Sequence, residues 1–432
     1  MKPPTLKEKS KIKNQISKLR NHRSAMMNSS VLLLLTFILG LLIMLTPVSV
    51  PASENWEEFA ILPSTDDQEL PDIDGDIVVW QQFVAEYGDY DIYVADMNNP
   101  DEPLAVVIGD ANDQMRPAVF ENTVVWQDYV YWQGSGDWDI WACDLSTSLK
   151  AGPEPVEGAG DTDRQQPVTF AVSKIFGNDE QVPAVHGNIV VWQDGAEGDY
   201  NIYGADITDF ESPAEFTVAA FEYDQRMPAV YRNTVVWQDS YYGDEDILAA
   251  DIWMRNRPAE LGVTLEEFDQ QHPAVWGDIV VWADNYFGDM DIYAADISDP
   301  NKPVEFAVTA NESDQTNPDI DRNIVVWQDN RNGDWDIYGY NLTTRREFQI
   351  TDEPHDQTNP AISGNTVVWE DSRDGNLQIF AIVLDGPEVA RCTSKLAGDI
   401  NGDCKVDFDD QAIMLSQWLE CNLEPEEACI SF

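Results

Sequence analysis

The sequence predicts an all-β fold, a seven-bladed β-propeller closed by an N-terminal strand, and three observations predict it. The first is a strand ending in Val-Val-Trp, written seven times, with Trp80, Trp126, Trp192, Trp237, Trp282, Trp327 and Trp369 each nine residues after a proline. The second is the period of roughly forty-five residues, which marks an array of small repeated sheets. The third is the count of outer strands. Only six lie between consecutive tryptophan strands, while EEFAIL (57–62) precedes the first unit and matches VEFAVT (304–309) in pattern. This N-terminal strand is therefore expected to complete the seventh sheet, removing a free edge that would otherwise invite aggregation.

One unit reads cleanly in DQTNPDIDRNIVVWQDNRNGDWDIYGYN (314–341). The proline interrupts pairing ahead of the first strand, Asn323 turns the chain into the second, and Gly333 supplies the positive φ of a tight second hairpin. A fourth strand comes from stretches such as AEFTVAA (214–220), VEFAVTA (304–310) and REFQIT (346–351), whose weak alternation suits an outer, partly solvated position.

Outside the array, the first thirty residues carry eight basic side chains. An apolar run from Val31 to Leu45 follows, then Val50-Pro51-Ala52 before Ser53. This order predicts a secretory signal over 1–52, with an uncleaved membrane anchor as the alternative. The mature chain would hold 17 basic against 78 acidic residues, a net charge of −61. Such a surface disfavours nucleic acid and anionic lipid and leaves cations, basic proteins and neutral polymers as partners. The expected location is secreted, periplasmic or cell-surface, with no membrane span after cleavage.

Cys143 stands where the other blades have Ala95, Ala205, Ala250, Ala295, Tyr340 and Ile382, so it reads most simply as a small apolar core residue. Cys392, Cys404, Cys421 and Cys429 crowd the last 41 residues and suggest two disulfides in a module too small to hold itself by burial. That tail carries DINGDCKVDFDD. Asp399, Asn401, Asp403, Asp407 and Asp410 fall at loop positions one, three, five, nine and twelve, and Lys405 at position seven offers its carbonyl. Oxygen donors at this spacing wrap a hard cation, and Ca²⁺ is the expected occupant. The domain reading is thus 1–52 signal, 53–391 propeller and 392–432 calcium-binding tail.

From Gly398 to about Leu419 the pattern DxNxDxxVxxxD followed by a helix resembles one calcium-binding repeat of a type I dockerin. That resemblance implies docking onto a cohesin-like receptor. The chain departs from the family in having a single repeat and in placing Cys404 at position six, where glycine is usual. The blade pattern Pro-x-x-x-x-Asn-x-Val-Val-Trp, then Asp-x-x-x-Gly-x-x-Asp-Ile-Tyr, is similar to TolB-like (WD-repeat-like) propeller repeats of periplasmic and cell-surface proteins, and it covers about 330 residues. The resemblance implies the fold and often a protein-binding role.

Residues present in every blade, such as Asp67, Asp113, Asp179, Asp224, Asp269, Asp314 and Asp356, are expected to bond strands or neighbouring blades. Function is expected where the repeat breaks. Trp to the Ile of the third strand spans ten residues in five blades but twelve in the first and fourteen in the second, and those hairpins carry Phe83, Tyr87, Tyr129, Tyr131 and Trp132. A third break lies within KAGPEPVEGAGDTDRQQP (150–167) and is expected to open on the same face as the hairpins. Exposed rings beside carboxylates suit a polysaccharide or a protein partner, or else pack against neighbouring loops. No nucleophile motif appears, and no carboxylate pair stands out for glycoside hydrolysis. His272 and His355 precede blades and could serve a metal-dependent lyase, though hydrogen bonding is the simpler role. The expectation is a binding propeller with a calcium-loaded tail; a polysaccharide-active enzyme is the alternative.

Overall fold

The computed structural model describes residues 56–98, 104–109, 112–132, 135–146, 167–173, 178–195, 198–241, 243–255, 257–264 and 268–385. The expected signal over 1–52 and the expected calcium-binding tail over 392–432 lie outside them. Among the described residues, 28 strands form seven four-stranded antiparallel sheets, each a blade; in six the strands follow one another in space as in sequence, and the seventh takes its outer strand from the start of the array. Blade 1, for example, runs Gln68–Asp74, Ile77–Val84, Asp89–Asp96, Leu104–Ile108. The seven first strands pack each against the next, and the last against the first, so they line a central channel. No helix among the described residues is long and apolar enough to cross a membrane.

The ring closes as the strand count requires. Glu58–Ala60 pairs antiparallel with Gln378–Val383, matching Phe59 to Ala381 and Ala60 to Phe380. Around that seam the Ile61 N–H donates to the Ile379 carbonyl at 2.8 Å and Trp56 Nε1 donates to Asp385 Oδ1 at 2.8 Å. Arg373 donates to Glu58 at 2.6 Å. Ile61 is buried with Trp80 of blade 1 and Val368 and Ile379 of blade 7, so the closing segment also joins the core.

The repeat motif is explained by what buried polar groups require. Each Val-Val-Trp strand buries its tryptophan between blades. A buried indole N–H needs an acceptor, and in five blades the Asp two residues later supplies it, as in Trp237 to Asp239 at 3.3 Å, Trp327 to Asp329 at 3.2 Å and Trp369 to Asp371 at 3.1 Å, while Gln82 does so in blade 1. The intervening Gln works between blades. Gln81, Gln127, Gln193, Gln238 and Gln328 each accept the N–H of a residue in the next blade's first strand, Arg116, Val182, Met227, His272 and Asn359 respectively. Those N–H donors reach the preceding blade because a bulge just before each proline turns that residue to a left-handed φ near 50° and aims its N–H backwards.

The repeated aspartates are blade-to-blade clasps. Asp67, Asp113, Asp224, Asp269, Asp314 and Asp356 each accept, through Oδ1, an N–H from the hairpin or third-strand entry of the preceding blade, at 2.9–3.2 Å. For Asp67 the preceding blade is blade 7, so the same bond spans the closure. Cys143 is fully buried in an apolar cluster with Val124, Trp126 and Leu145, as its alignment with alanines predicts.

Strand order corrects one expectation. First and third strands run the same way, so the second-to-third hairpins and the links between blades emerge on one face. First-to-second turns and third-to-fourth connections emerge on the other. In blade 2, 24 residues separate Asp144 from Thr169, against 7 between Asp206 and Ala214 in blade 3. The long break of blade 2 therefore joins its third strand to its fourth and belongs to the face opposite the hairpins. The sequence pattern located the extra residues correctly but did not show which side of the outer strand they precede.

Candidate functional site

On the hairpin face the lengthened hairpins are continuous ladders. Ile77–Val84 pairs with Asp89–Asp96 out to Val84 and Asp89, and Thr123–Trp132 pairs with Ser135–Asp144 out to Trp132 and Ser135. Packing partners rather than alternation divide the aromatic candidates, since Tyr129 and Tyr131, two residues apart on one strand, share a side and Tyr87 lies in the turn beyond the first ladder. Phe83 packs edge-on against Tyr90 at 5.3 Å, and Tyr129 against Trp138 at 5.2 Å. The Tyr129 ring also fills the space a side chain at Gly136 would need. Tyr87 and Tyr131 stand free, 72% and 64% exposed. The side chain of Trp132 lies outside the described residues.

Three further rings stand on this face, Phe287, which the sequence shows in an aromatic hairpin, and two in the links, which it does not single out. Phe287, 70% exposed, crowns the blade 5 hairpin, and Tyr223 and Phe268 are half exposed in the links entering blades 4 and 5. Tyr223 and Phe268 rest edge-on against Tyr241 and Tyr286, which steadies them without covering them. Asp199 and Asp244 fix the two links by accepting the N–H groups of Tyr223 and Phe268. The signal was present in the Tyr-Tyr and Tyr-Phe pairs of the hairpins, but link residues carried none. Tyr87, Tyr131, Tyr223, Phe268 and Phe287 thus form an exposed aromatic rim contributed by blades 1, 2, 4 and 5.

Inside the rim, the bulge residues set the upper lining of the channel. They are Leu70, Arg116, Val182, Met227, His272, Asn317 and Asn359, all with left-handed φ. Two are basic and none is acidic. Arg116 is exposed, and burial together with the like charge of Arg116 lowers His272, which leaves the imidazole neutral near pH 7. Two residues further along the strands come Asp72 and Asp319, which accept the N–H groups of Val119 and Ile362 in the next blade, each at 2.8 Å. Burial pushes them up to about 7 and about 6. His355 is separate from His272: it lies exposed in the link to blade 7, with its N–H on Asp334.

The opposite face carries its own aromatic arc at the channel mouth. Phe120, His186, Tyr231 and Trp276, from four consecutive blades, contact one another at 4.2, 4.6 and 5.3 Å between ring centroids. These rings are half-buried and spend their surfaces on each other. Trp253 and Phe210 are exposed nearby on third-to-fourth connections. A groove of about 390 Å³ lies at the outer edge, between Trp56, Glu58, Gln349 and Asp352. Its basic residue, Arg373, is already bound to Glu58 and Asp371 and stacked on Phe380, so the groove is part of the closure seam.

No protein-family profile matches the chain, and no curated protein matches it by sequence. Solved structures do. The β-propeller domain of the Trilobed protease from Pyrococcus furiosus, described as having an open velcro topology, aligns at 10% identity with a TM-score of 0.54, over 76% of this chain and 99% of that one. An oligogalacturonate lyase from Vibrio parahaemolyticus aligns at 11% identity and 0.54, over 77% and 98%. A putative TolB from Agrobacterium tumefaciens aligns at 16% and 0.38, over 47% and 73%. The chain spans about half the length of the peptidases it also matches. At these identities the shared property is the propeller fold.

Proposed function

We propose that this chain is an exported binding protein whose hairpin face takes a carbohydrate chain. The observation that supports this reading is the rim of five exposed rings, Tyr87, Tyr131, Tyr223, Phe268 and Phe287, on one face of a rigid array. Flat apolar sugar faces stack on such rings, while the surrounding carboxylates accept hydroxyl protons. Rings held by edge contacts to a neighbour lose little freedom on binding, which favours affinity. A protein ligand is the second reading, since Tyr and Phe also serve as interface centres.

The tail over 392–432 completes the proposal. Asp399, Asn401, Asp403, Asp407 and Asp410, with the Lys405 carbonyl, would hold Ca²⁺ and present the following segment to a cohesin-like receptor or anchor the chain at the cell surface. A secreted, periplasmic or surface location follows from the signal-like segment over 1–52.

The test is a glycan array probed with the full chain, with and without Ca²⁺, followed by product analysis of every polymer captured. Capture without cleavage supports the binding reading. Cleavage would place the chain among polysaccharide-active enzymes, and exclusive capture of a protein partner would replace the carbohydrate with that partner.

A further inference from the structure

The wall of the channel beneath the rim is not sevenfold. On the first strand of a blade, residues two apart share the channel side and are half-buried, while the proline and isoleucine flanking Asp72 and Asp319 pack between blades. At this middle level blades 2 to 5 present only a methyl group, on Ala118, Ala184, Ala229 and Ala274. Blades 1 and 6 place Asp72 and Asp319 there instead. Each accepts an N–H of the next blade at 2.8 Å, yet five blades hold together with alanine at this position, so the repeat does not require the carboxyl. One level nearer the hairpin face, and only in blades 6 and 7, the bulge residue is an amide. Asn317 Nδ2 donates to Asn359 Oδ1 at 2.6 Å and to Gln328 Oε1 at 3.3 Å. The network runs on from Asn359 to Glu370, which accepts the Thr358 hydroxyl at 3.1 Å and the Leu70 N–H at 2.7 Å. The left-handed φ does not call for asparagine, because Leu70, Val182 and Met227 adopt it too. Blades 6, 7 and 1 are neighbours across the closure. They give the channel one polar wall, on which Asn317 Oδ1 accepts nothing from a described residue, opposite a wall of methyl groups.

We propose that this two-sided channel is a subsite for the end of a neutral sugar chain that enters from the hairpin face. The inference rests on the carbohydrate reading of that face and names the class of sugar. A sugar ring has a hydroxylated edge and flatter apolar faces, so it fits a slot with amides and carboxyls on one side and methyl groups on the other. The amides hold one another before any ligand arrives, which limits the freedom lost on binding. The same wall selects against acidic sugars. Asp72, Asp319 and Glu370 have no basic partner among the described residues, and a ligand carboxylate brought beside them in a confined channel meets like charge. The four alanines complete the slot, since a larger side chain at that level would occupy the space the ring needs.

The experiment is saturation-transfer NMR on the full chain, with D-glucose, D-galactose, D-mannose and D-xylose titrated beside D-glucuronate and D-galacturonate. At least one neutral sugar should bind saturably at millimolar concentration, and neither uronate should. Ala184→Leu fills the methyl wall without touching the polar one and should weaken that sugar about tenfold or more at an unchanged thermal midpoint. Ala229→Leu repeats the block from the next blade. Asn359→Ala, which breaks the amide network, should weaken binding by a similar factor, and the leucine variants decide the matter if its midpoint falls. No saturable binding of any neutral sugar, equal binding of a uronate, or wild-type affinity in both leucine variants would overturn the site. If Tyr87→Ala with Tyr131→Ala abolishes polymer capture while the leucine variants bind sugar normally, the rim stands and the channel site falls. Capture that survives the tyrosine changes and fails in Ala184→Leu keeps the channel site and removes the rim.

Discussion

Glu180→Gln offers a perturbation whose sign and pH dependence can be worked from the structure. Six blades place a buried glutamine at this position, Gln68, Gln114, Gln225, Gln270, Gln315 and Gln357, and blade 3 alone has glutamate. In Gln225, Gln270 and Gln357, Nε2 donates to the carbonyl two residues back at 2.8 Å. An ionised carboxylate has no proton for such a bond. Burial pushes Glu180 up to about 9, the hydroxyl of Ser173 opposes this, and Asp139 and Asp194 add to it. The ordinary value is 4.5. Between these limits the folded chain keeps a proton that the unfolded chain has lost, so this group makes stability fall as pH rises from about 4.5 to about 9. Glutamine carries the donor at every pH and removes the dependence. The stability gap between Glu180→Gln and the wild type should therefore widen by up to about 4 kcal/mol from near pH 5 to near pH 8, at 1.36 kcal/mol per unit. Urea unfolding of both proteins at the two pH values measures it. A gap that does not change with pH, or a variant less stable at both, would refute the protonated-glutamate account.

Other outcomes follow from the same reasoning. Ile61→Ala, in the closing segment, should cost about 2–5 kcal/mol because Ile61 is fully buried between blades 1 and 7, and a chemical-denaturation midpoint equal to that of the wild type would show that the seam contributes nothing. Deleting residues 53–64 should lower the thermal midpoint of the whole array, since it also removes the partner of Gln378–Val383. Tyr87→Ala and Tyr131→Ala, at exposed positions, should leave stability within about 0.5 kcal/mol while reducing capture of polymer; destabilisation with normal capture would place these rings in packing instead. Asp399→Ala with Asp410→Ala should abolish the saturable Ca²⁺ heat of the full chain, and retention of that heat would remove the loop from the calcium site.

The architecture was legible because each repeated residue answers a constraint that recurs in every blade. The tryptophan needs burial and an acceptor, so Val-Val-Trp and an Asp two residues on appear together. In six of the seven blades the Asp thirteen residues before the Trp clasps the neighbouring blade, and the surplus strand, seen at Glu58–Ala60, completes the ring. The site was less legible. Tyr87 and Tyr131 were found through hairpin length, but the same count could not show that Phe83 and Tyr129 pack against Tyr90 and Trp138. Tyr223 and Phe268 sit in links whose sequence carries no periodic signal. Asp72 and Asp319 belong to the first and sixth blades, and only ring closure brings their strands to one side of the channel. The long connection of blade 2 changed faces because a length count does not reveal which connection holds the extra residues.

Hydrogen exchange of the full chain, free and saturated with a captured polysaccharide, tests the central claim most directly. Slowed exchange at the hairpins near Tyr87, Tyr131 and Phe287 and in the links at Tyr223 and Phe268, with Trp253 and Phe210 unchanged, is the predicted result. Protection confined to Trp253, Phe210 and the arc of Phe120, His186, Tyr231 and Trp276 would put the ligand on the opposite face and contradict it.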